Sequence, residues 1–599
     1  MSKSGRIPFI VHATHEAGVK IGGIGAVLDG LLGADAYNQH VERTIVTGPM
    51  EAGDKAHMER LLASRNGLTI RYGSLQGIFD GVSREQFVAF QNIEQRFKIA
   101  ILYGTRRFGS YEHEVLLIDA TAPDPQPIDT FKYFVWDNYG LDSGRYNYDA
   151  EYRLHFAIAQ PLLAALTVLQ PEEVDSKFII AHEWMGMPLV FAAQLIDAFE
   201  WYTVFYAHEV ATVRRLVEEH PGHDTRFYNV LRKAGEWGLD LDAVFGNQND
   251  FYKHAIIKLA TRCNNIFAVG DLVVDELRFL GHDFAHTNIN LVYNGIPSAK
   301  TTLKEKLASK AKLQQYCQNL LGYWPDYVFT HVTRFVSSKA LWRDLPVLNH
   351  LDAKLSKKNK RAVLFVLSTS APAGRRSEWV AAWEEQYGWP VGHRGDNGDL
   401  IGDEAPYFFQ DVSPFNQAHE QGTQVVLVNQ FGWDQERCGR RMPAEMEFID
   451  VRRGSDLEFG QSTYEPFGIA QVEPLSHGAL CCVSSVCGCV GFVQRVAAAI
   501  PRFAESIYPN LVVADYVNIP YDGWVTNPQV ALEMDAQTRQ WMEEMKSAEA
   551  AHQIFERLPK SDTDLRKLLK DGQAVAQKMS WDVVVAEYLL PGLERAKNN

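Results

Sequence analysis

Short apolar runs alternate with amphipathic stretches along most of the chain. The runs PFIVHAT (8–14), KFIIAHE (177–183), TVFYAHE (203–209), NIFAVG (265–270) and INLVYNG (289–295) end in polar or glycine-containing segments. A second set follows: YVFTHVTRF (327–335), AVLFVLSTS (362–370), TQVVLVNQF (423–431) and ALCCVSS (479–485). Apolar runs of this length, separated by helical patterns, predict buried strands of parallel sheets with helices on both faces. Ligands of such sheets gather at the carboxyl ends of the strands. The unusual polar residues of this chain cluster there.

The two sets predict an α/β protein of two doubly wound domains. The first is expected over residues 1–297, closing near Val292–Pro297, and the second over 298–575, with its strands beginning at about Tyr327. The Lys-rich stretch between them, TTLKEKLASKAKLQQY, predicts a surface helix. The region between Ser370 and Gln424 has no strand pattern and reads as an insertion of helices and loops over about 371–423. In the last stretch Trp581, Val584, Val585, Tyr588 and Leu589 fall at i, i+3, i+4, i+7 and i+8, one face of an amphipathic helix within 576–599. Pro591 and Gly592 are expected to end or kink it.

Charge narrows the partners. The 59 Lys and Arg against 74 Asp and Glu leave a net charge of −15. That disfavours sequence-blind nucleic-acid binding, which needs a basic surface. No stretch approaches 18 apolar residues, so no membrane helix is expected. The apolar run near the start, Ile7 to Val11, is cut by His12 and is too short for a signal peptide. The seven cysteines are an odd number for a disulfide framework and suggest reduced thiols and a cytoplasmic protein. Four of them crowd into Cys481–Cys489, but without the paired spacing of a zinc site. Small buried residues leading into a glycine turn explain them better.

Several chemistries lack their motifs. The chain has no P-loop signature, no G-x-S-x-G elbow, and no G-x-G-x-x-G after its first strand. His-Glu occurs five times, never with a second His four residues on, so no zincin helix is present.

Three segments remain. The first strand runs into His15-Glu-Ala-Gly-Val-Lys20-Ile-Gly22-Gly23-Ile-Gly25 and then a helical stretch. A strand, a Gly-rich loop with a Lys and a helix N-terminus suit an anion, because glycine admits close approach and the helix end offers free N–H groups. An exposed Lys on a tight turn accounts for the same residues. In the second set, Arg334 and Lys339 lie just past a strand, where a planar fork and a movable ammonium suit a diphosphate. Two solvated cations are the alternative. The third segment is Gly460-Gln-Ser-Thr-Tyr-Glu465-Pro-Phe467-Gly468-Ile-Ala-Gln-Val-Glu473. Glu465 is expected in a turn with Pro466 opening a helix, and Glu473 within that helix, although Pro474 is awkward there.

Together and in this order, the segments resemble the glycogen/starch synthase family of retaining GT-B glucosyltransferases. Lys20-Ile-Gly22-Gly23 is similar to its K-x-G-G loop, Arg334 with Lys339 to its diphosphate-clamping pair, and Glu465 to Glu473 to its E-x7-E motif. The resemblance extends to Asp456–Ile469, to His182-Glu183-Trp184-Met-Gly and to the closing Ser580-Trp581 helix, and spares only the insertion. It implies two Rossmann-like domains facing a deep cleft, with the last helix crossing back to the N-terminal domain. It implies donor contacts from Lys20, Gly22, Gly23, Arg334, Lys339, Glu465, Phe467, Gly468 and Glu473. Catalytic roles fall to His208, Glu465, Arg334 and Lys339, and Glu183 is a candidate contact to sugar or acceptor hydroxyls. The implied reaction takes glucose from UDP- or ADP-glucose to an α-glucan, without a metal or other cofactor. A homo-oligomer is compatible with it.

Two positions depart from the family pattern. Val486-Cys487-Gly488-Cys489 stands where a Thr-Gly-Gly-like loop is usual, and His208 is followed by the acidic Glu209. A thiol facing a phosphate would hinder binding. These changes keep open a different acceptor in another retaining GT-B enzyme, or a glucan-binding homologue without turnover.

Overall fold

A computed structural model describes residues 6–171, 176–196, 201–369, 375–503, 510–520 and 523–598. Two sheets organise the chain. The nine strands of the first are β1 (Ile7–Ala13), β2 (Val41–Pro49), β3 (Thr69–Gly73), β4 (Ala100–Phe108), β5 (Tyr111–Asp119), β6 (Lys177–His182), β7 (Tyr202–Ala207), β8 (Asn265–Ala268) and β9 (Ile289–Leu291). Their spatial order is β3-β4-β5-β2-β1-β6-β7-β8-β9. The second sheet holds β10 (Tyr327–Thr333), β11 (Ala362–Ser368), β12 (Gln424–Val428), β13 (Leu457–Gly460), β14 (Leu480–Ser484) and β15 (Leu511–Ala514), in the order β12-β11-β10-β13-β14-β15. The described strands of the second sheet all pair in parallel. In the first sheet only β3, β4 and β5 pair antiparallel.

All nine apolar runs of the sequence form strands. Every residue of β6, β10 and β11 is buried, as expected where helices cover both faces. The strands without a clear run have local reasons. β4 and β5 form a hairpin around Gly109, at φ +58°, and interleave polar residues such as Arg106, Arg107 and Glu114. β13 is four residues long and contains a buried carboxylate, Glu458, which accepts from the Val332 N–H (3.0 Å) and pairs with Arg452 (3.2 Å).

The chain divides into two compact units. Unit 1 comprises Met1–Thr212, Leu239–Gly295 and Trp581–Asn599; unit 2 comprises Val213–Gly238 and Ile296–Ser580. The sequence boundaries at 297/298 and 575/576 differ from these by two and five residues. The larger difference is Val213–Gly238, which the sequence placed in the first domain. Its helix, His223–Glu236, is tied into unit 2 by buried charge. Arg343 bonds both oxygens of Asp224 (2.6 and 3.0 Å) and one of Glu543 (2.7 Å), with its guanidinium 4.1 Å from the Tyr516 ring centre. Thr225 and Asn229 donate to the carbonyls of Tyr516 and Val517. Removing one member of such a buried set leaves an uncompensated charge, a cost of about 3–5 kcal/mol.

The last segment packs within unit 1. A Cβ on Gly30 or Gly295 would lie 2.1 or 2.6 Å from the Trp581 indole, so both glycines make room for that ring. Asn265 of β8 donates to the Gly592 carbonyl (2.9 Å). The helix neither ends nor breaks at Pro591. Trp581–Val584 continues through a π turn, Val585–Leu589, into Leu590–Lys597. A π turn locally rearranges the hydrogen-bond ladder that proline disrupts.

The 375–423 part of the insertion is helical and irregular, without strands, and residues 371–374 lie outside the described residues. Its buried network joins Arg375 to Glu404 and to the carbonyl of Asp399 (2.7 Å), and His393 to the Asp399 carboxylate (3.1 Å). One described helix, Ala150–Leu169, has the length and hydropathy to cross a bilayer, and 67% of that stretch is buried inside the protein.

Candidate functional site

The parallel strands reverse their order between β1 and β6 in unit 1 and between β10 and β13 in unit 2. Such a switch point opens a crevice at the carboxyl ends of the strands. The sequence-selected residues of each unit follow those ends.

In unit 2, the turn after β10 carries Arg334 and Lys339, and the loop after β13 carries Glu465. Ser338 joins them, its carbonyl accepting from the N–H groups of Thr463 (2.8 Å) and Tyr464 (3.4 Å). The Lys339 ammonium bonds directly to Glu465 Oε2, which also accepts from Gln471 Nε2 (2.8 Å). Burial alone would raise the Glu465 carboxyl. Lys339, with the Gln471 bond and the charge of Arg214, more than offsets this and holds it below the usual range, so it is ionised at neutral pH. Arg334 is exposed and has no ion-pair partner among the described residues.

The rest of this edge departs from expectation in informative ways. Pro466 does not open the helix. Gly468 caps it in the left-handed region, at φ +87°, where a Cβ would meet Gln471 Oε1 at 2.3 Å. The helix spans Ile469–Val472 and a 3₁₀ turn, Glu473–His477, follows. Pro474 therefore sits in the first positions of a new turn, where its missing N–H costs little. Glu473 is held by buried Arg452 (3.1 Å). The Phe467 ring, expected at the donor, is buried and lies 6.3 Å from Phe492.

The Cys-rich loop is inward-facing. Gly488 donates to the Glu465 carbonyl (2.9 Å) and Cys489 to that of Phe467 (2.8 Å). A Cβ on Gly488 would lie 1.7 Å from the Pro466 carbonyl oxygen, so that position needs glycine. Cys487 is buried against the Gly460 carbonyl (3.3 Å), and burial pushes its thiol up to about 12. All seven cysteines are free and buried. Neither Cys487 nor Cys489 exposes its thiol at the surface of this loop. On the same edge, a cavity of about 430 Å³ is lined by Leu367, Thr369, Phe431, Trp433 and Phe448, among others.

In unit 1, the Gly-rich loop after β1 folds around an anion of its own. Glu16, 2% exposed, accepts from the N–H groups of Ile21 (2.7 Å) and Gly22 (2.6 Å) through Oε2. A Cβ on Gly25 would lie 2.4 Å from that oxygen. The Gly22 N–H, expected to face a phosphate, is thus already used. Gly23 has nothing within 4 Å of its Cβ position and remains open. Lys20 pairs with Asp29 (3.0 Å) while half its side chain is exposed, an arrangement of little energy that a ligand can redirect.

Beyond β6 and β7, Glu183 and His208 meet. Glu183 has φ +64°, a strained conformation for a non-glycine residue. Its Oε1 accepts from the backbone N–H groups of His208 and Glu209 (2.7 Å), and its Oε2 is buried without a hydrogen-bond partner. Burial first, and the negative charge of Glu209 second, push the carboxyl up to about 8. Glu183 is therefore mainly protonated at neutral pH and offers an O–H. His208 lies on a chain of ring contacts: its Nε2 meets His182 Nδ1 at 2.8 Å, and His182 Nε2 meets His12 Nδ1 at 2.8 Å. Burial lowers His208 and His12 to about 3 and His182 well below its usual value, so all three are neutral.

No protein-family model matches the sequence, and no curated protein matches it. Solved structures do. The catalytic domain of starch synthase IV from Arabidopsis thaliana, bound to ADP and acarbose, aligns with TM-score 0.50 and 14% identity, covering 99% of this chain and 100% of that one. The N-terminal domain of trehalose-6-phosphate phosphatase from Candida albicans aligns with TM-score 0.50 and 10% identity, covering 99% of this chain and 97% of that one. The fold is GT-B. Two Rossmann-like units are its hallmark, and the order of the sequence motifs fits it.

Several residues of this GT-B chain escaped sequence reasoning. Glu16 was visible only as one of five His-Glu pairs. Arg452 lies in an Arg-Arg pair of a helix, Phe448–Gly454, with nothing local to link it to Glu473. His12 and His182 interrupt apolar runs, a signal that marks them as unusual but not as neighbours.

Proposed function

We propose that the chain is a retaining glucosyltransferase that moves glucose from a nucleotide-glucose to the non-reducing end of an α-1,4-glucan. The observation that carries this reading is the Lys339–Glu465 pair, beside the unpartnered Arg334, at the switch point of unit 2 in a GT-B fold. Arg334 and Lys339 bind the diphosphate and stabilise the charge that grows as the glycosidic phosphate bond breaks. Glu465, kept ionised by Lys339, accepts hydrogen bonds from glucose hydroxyls. Glu473, fixed by Arg452, accepts from the ribose. The aromatic-lined cavity of about 430 Å³ suits the base.

Unit 1 holds neutral donors. His208 and protonated Glu183 suit sugar hydroxyls, Gly23 admits close approach, and Lys20 is free to turn from Asp29 to a phosphate. Retention then needs no water-activating carboxylate pair, because the leaving phosphate takes the proton of the acceptor hydroxyl on the same face. Positioning and fixed charge supply the rate. The reading calls for no resident cofactor and fits a cytoplasmic enzyme.

The acceptor has a second reading. The Candida albicans domain aligns with the same TM-score as the starch synthase domain, and one fold serves many acceptors. A smaller sugar or sugar phosphate is the alternative. The test is nucleoside diphosphate release from UDP-glucose and from ADP-glucose, with and without glycogen. Glycogen-dependent release supports the synthase reading and names the donor. Release that needs glucose 6-phosphate instead assigns the second reading. No release from either donor with any acceptor rejects both.

A further inference from the structure

The histidine contacts of unit 1 form one line. Thr44 of β2 lies opposite Ile10 of β1, two residues before His12. His12 lies opposite Ile180 of β6, two residues before His182, and His182 lies opposite Tyr206 of β7, two residues before His208. A two-residue step keeps a side chain on the same face of a sheet. Each strand therefore carries the line one step further toward the carboxyl edge. It starts at Thr44, whose hydroxyl meets Tyr37 Oη at 2.9 Å, and Tyr37 Oη meets His12 Nε2 at 3.0 Å. It ends at His208, the one half-buried member.

The contacts use both ring nitrogens of His12 and of His182, and Nε2 of His208. A neutral imidazole has one N–H and one lone pair, so only two proton arrangements satisfy every contact. In one, Tyr37 donates to His12, His12 Nδ1–H donates to His182, and His182 Nδ1–H donates to His208 Nε2. In the other every bond reverses. The first matches the phenol, the strongest acid of the line, with an imidazole lone pair, the strongest acceptor. The second asks the phenol oxygen to accept from an imidazole and the phenol to donate to a threonine. The first arrangement is the better acid–base match. A neutral histidine in water prefers its proton on Nε2, so a chain that fixes Nδ1–H acts against the intrinsic preference.

We propose that Tyr37, His12 and His182 are positioning residues that hold His208 as the Nδ1–H tautomer, so that its outer nitrogen is a hydrogen-bond donor to the sugar substrate. The tautomer follows from the contacts together with the acid–base match at the Tyr37 end; its use on a sugar rests on the glucosyltransferase reading above. The titratable side chains beside the line include His15, which faces His182 and His208, His113, which faces His12, Tyr206, whose ring lies 4.5 Å from that of His208 and whose hydroxyl donates to the Val292 carbonyl, and Glu183, which accepts from the His208 backbone N–H. None of them hydrogen-bonds a ring nitrogen of the line among the described residues, so none sets its direction.

The test uses the full-length protein with nitrogen-15 histidine, at pH 7 and without substrate. Single His12→Gln, His182→Gln and His208→Gln variants assign the signals. Nδ1–H forms at His12, His182 and His208 are expected. An Nε2–H form or an imidazolium at any of them overturns the relay, whether or not the protein has activity. Two variants of His182 then separate relay from packing. His182→Gln keeps a donor toward His208 and an acceptor toward His12. It should preserve the His208 tautomer and hold kcat within about threefold. His182→Leu cuts the line, should release His208 toward Nε2–H, and should lower kcat on the order of 10–100-fold at nearly constant KM. Equal kcat in the two variants overturns the positioning role. The predicted tautomers in a wild-type protein without turnover would uphold the relay and reject the glucosyltransferase reading.

Discussion

The two carboxyl edges share a topology and differ in charge. Unit 2 keeps its ionised groups as pairs: Lys339 with Glu465, and Arg452 with Glu473, beside an exposed Arg334. Unit 1 suppresses ionisation beyond β6 and β7, although Lys20 and Asp29 pair beyond β1. Its histidines are neutral, and Glu183 is raised to about 8. One carboxylate that stays buried there, Glu16, is wrapped by backbone N–H groups. Permanent charge suits a diphosphate, and neutral donors suit hydroxyls. The difference shows how one kind of switch point takes two chemistries, according to whether a buried acid bonds a cation directly or meets backbone N–H groups and a second acid.

The largest expected effect is at the charged edge. Glu465→Gln removes the ionised acceptor at nearly constant shape. Transfer should fall roughly 10³-fold, on the scale of losing a preorganised electrostatic contact. Circular dichroism should show the fold retained, and a rate near wild type would reject the role of Glu465. Next comes Arg334→Ala, expected to lower kcat/KM by roughly 10²–10³. Arg334 is exposed and holds no structural partner, so the melting temperature should stay within about 1 °C of wild type, as for a surface site. A large loss of stability with little loss of rate would invert that assignment.

At the neutral edge the sharper readout is pH. The folded-state pKa of Glu183 is about 8, above its ordinary value of 4.5. Between these values the unfolded chain gives up the proton and the folded one keeps it. Stability from this group is complete below about pH 4.5 and is lost as pH rises through about 8. Glu183→Gln cannot ionise, so it should become more stable than wild type at pH 9, on the order of 5 kcal/mol, with the gap closing toward pH 4.5. Denaturant titrations of both proteins across that range decide it, and a constant gap would place the raised pKa in doubt. The smallest structural effect is expected for Gly23→Ala. Its Cβ meets open space, so stability should change by less than about 0.5 kcal/mol. A fall in donor affinity with unchanged stability would identify Gly23 as a point of close approach. Unchanged affinity would remove it from the donor site.

Much of this was legible in one dimension. The nine apolar runs became strands because a sheet covered on both faces demands continuous apolar segments. Arg334, Lys339 and Glu465 stand where strands end, and the resemblance that selected them depended only on their order. Strands that carry their own charge were harder to see. β13 hides Glu458, and β4 and β5 carry Arg106, Arg107 and Glu114. The inward direction of Cys487 was not legible, because a side chain's direction in a loop is set by what packs behind it, here the Gly460 carbonyl.

The sequence by itself determined the fold class, nine of the fifteen described strands and the order of the glycine-rich, cationic and acidic segments. All of these rest on periodicity and on neighbours along the chain. The tertiary structure alone decided that Glu16 fills the glycine loop, that Arg452 holds Glu473, and that Val213–Gly238 joins unit 2 through Asp224 and Arg343. It alone aligned His12, His182 and His208. Partners more than a hundred residues apart meet only through strand register, and one residue of slip would turn each histidine to the opposite face.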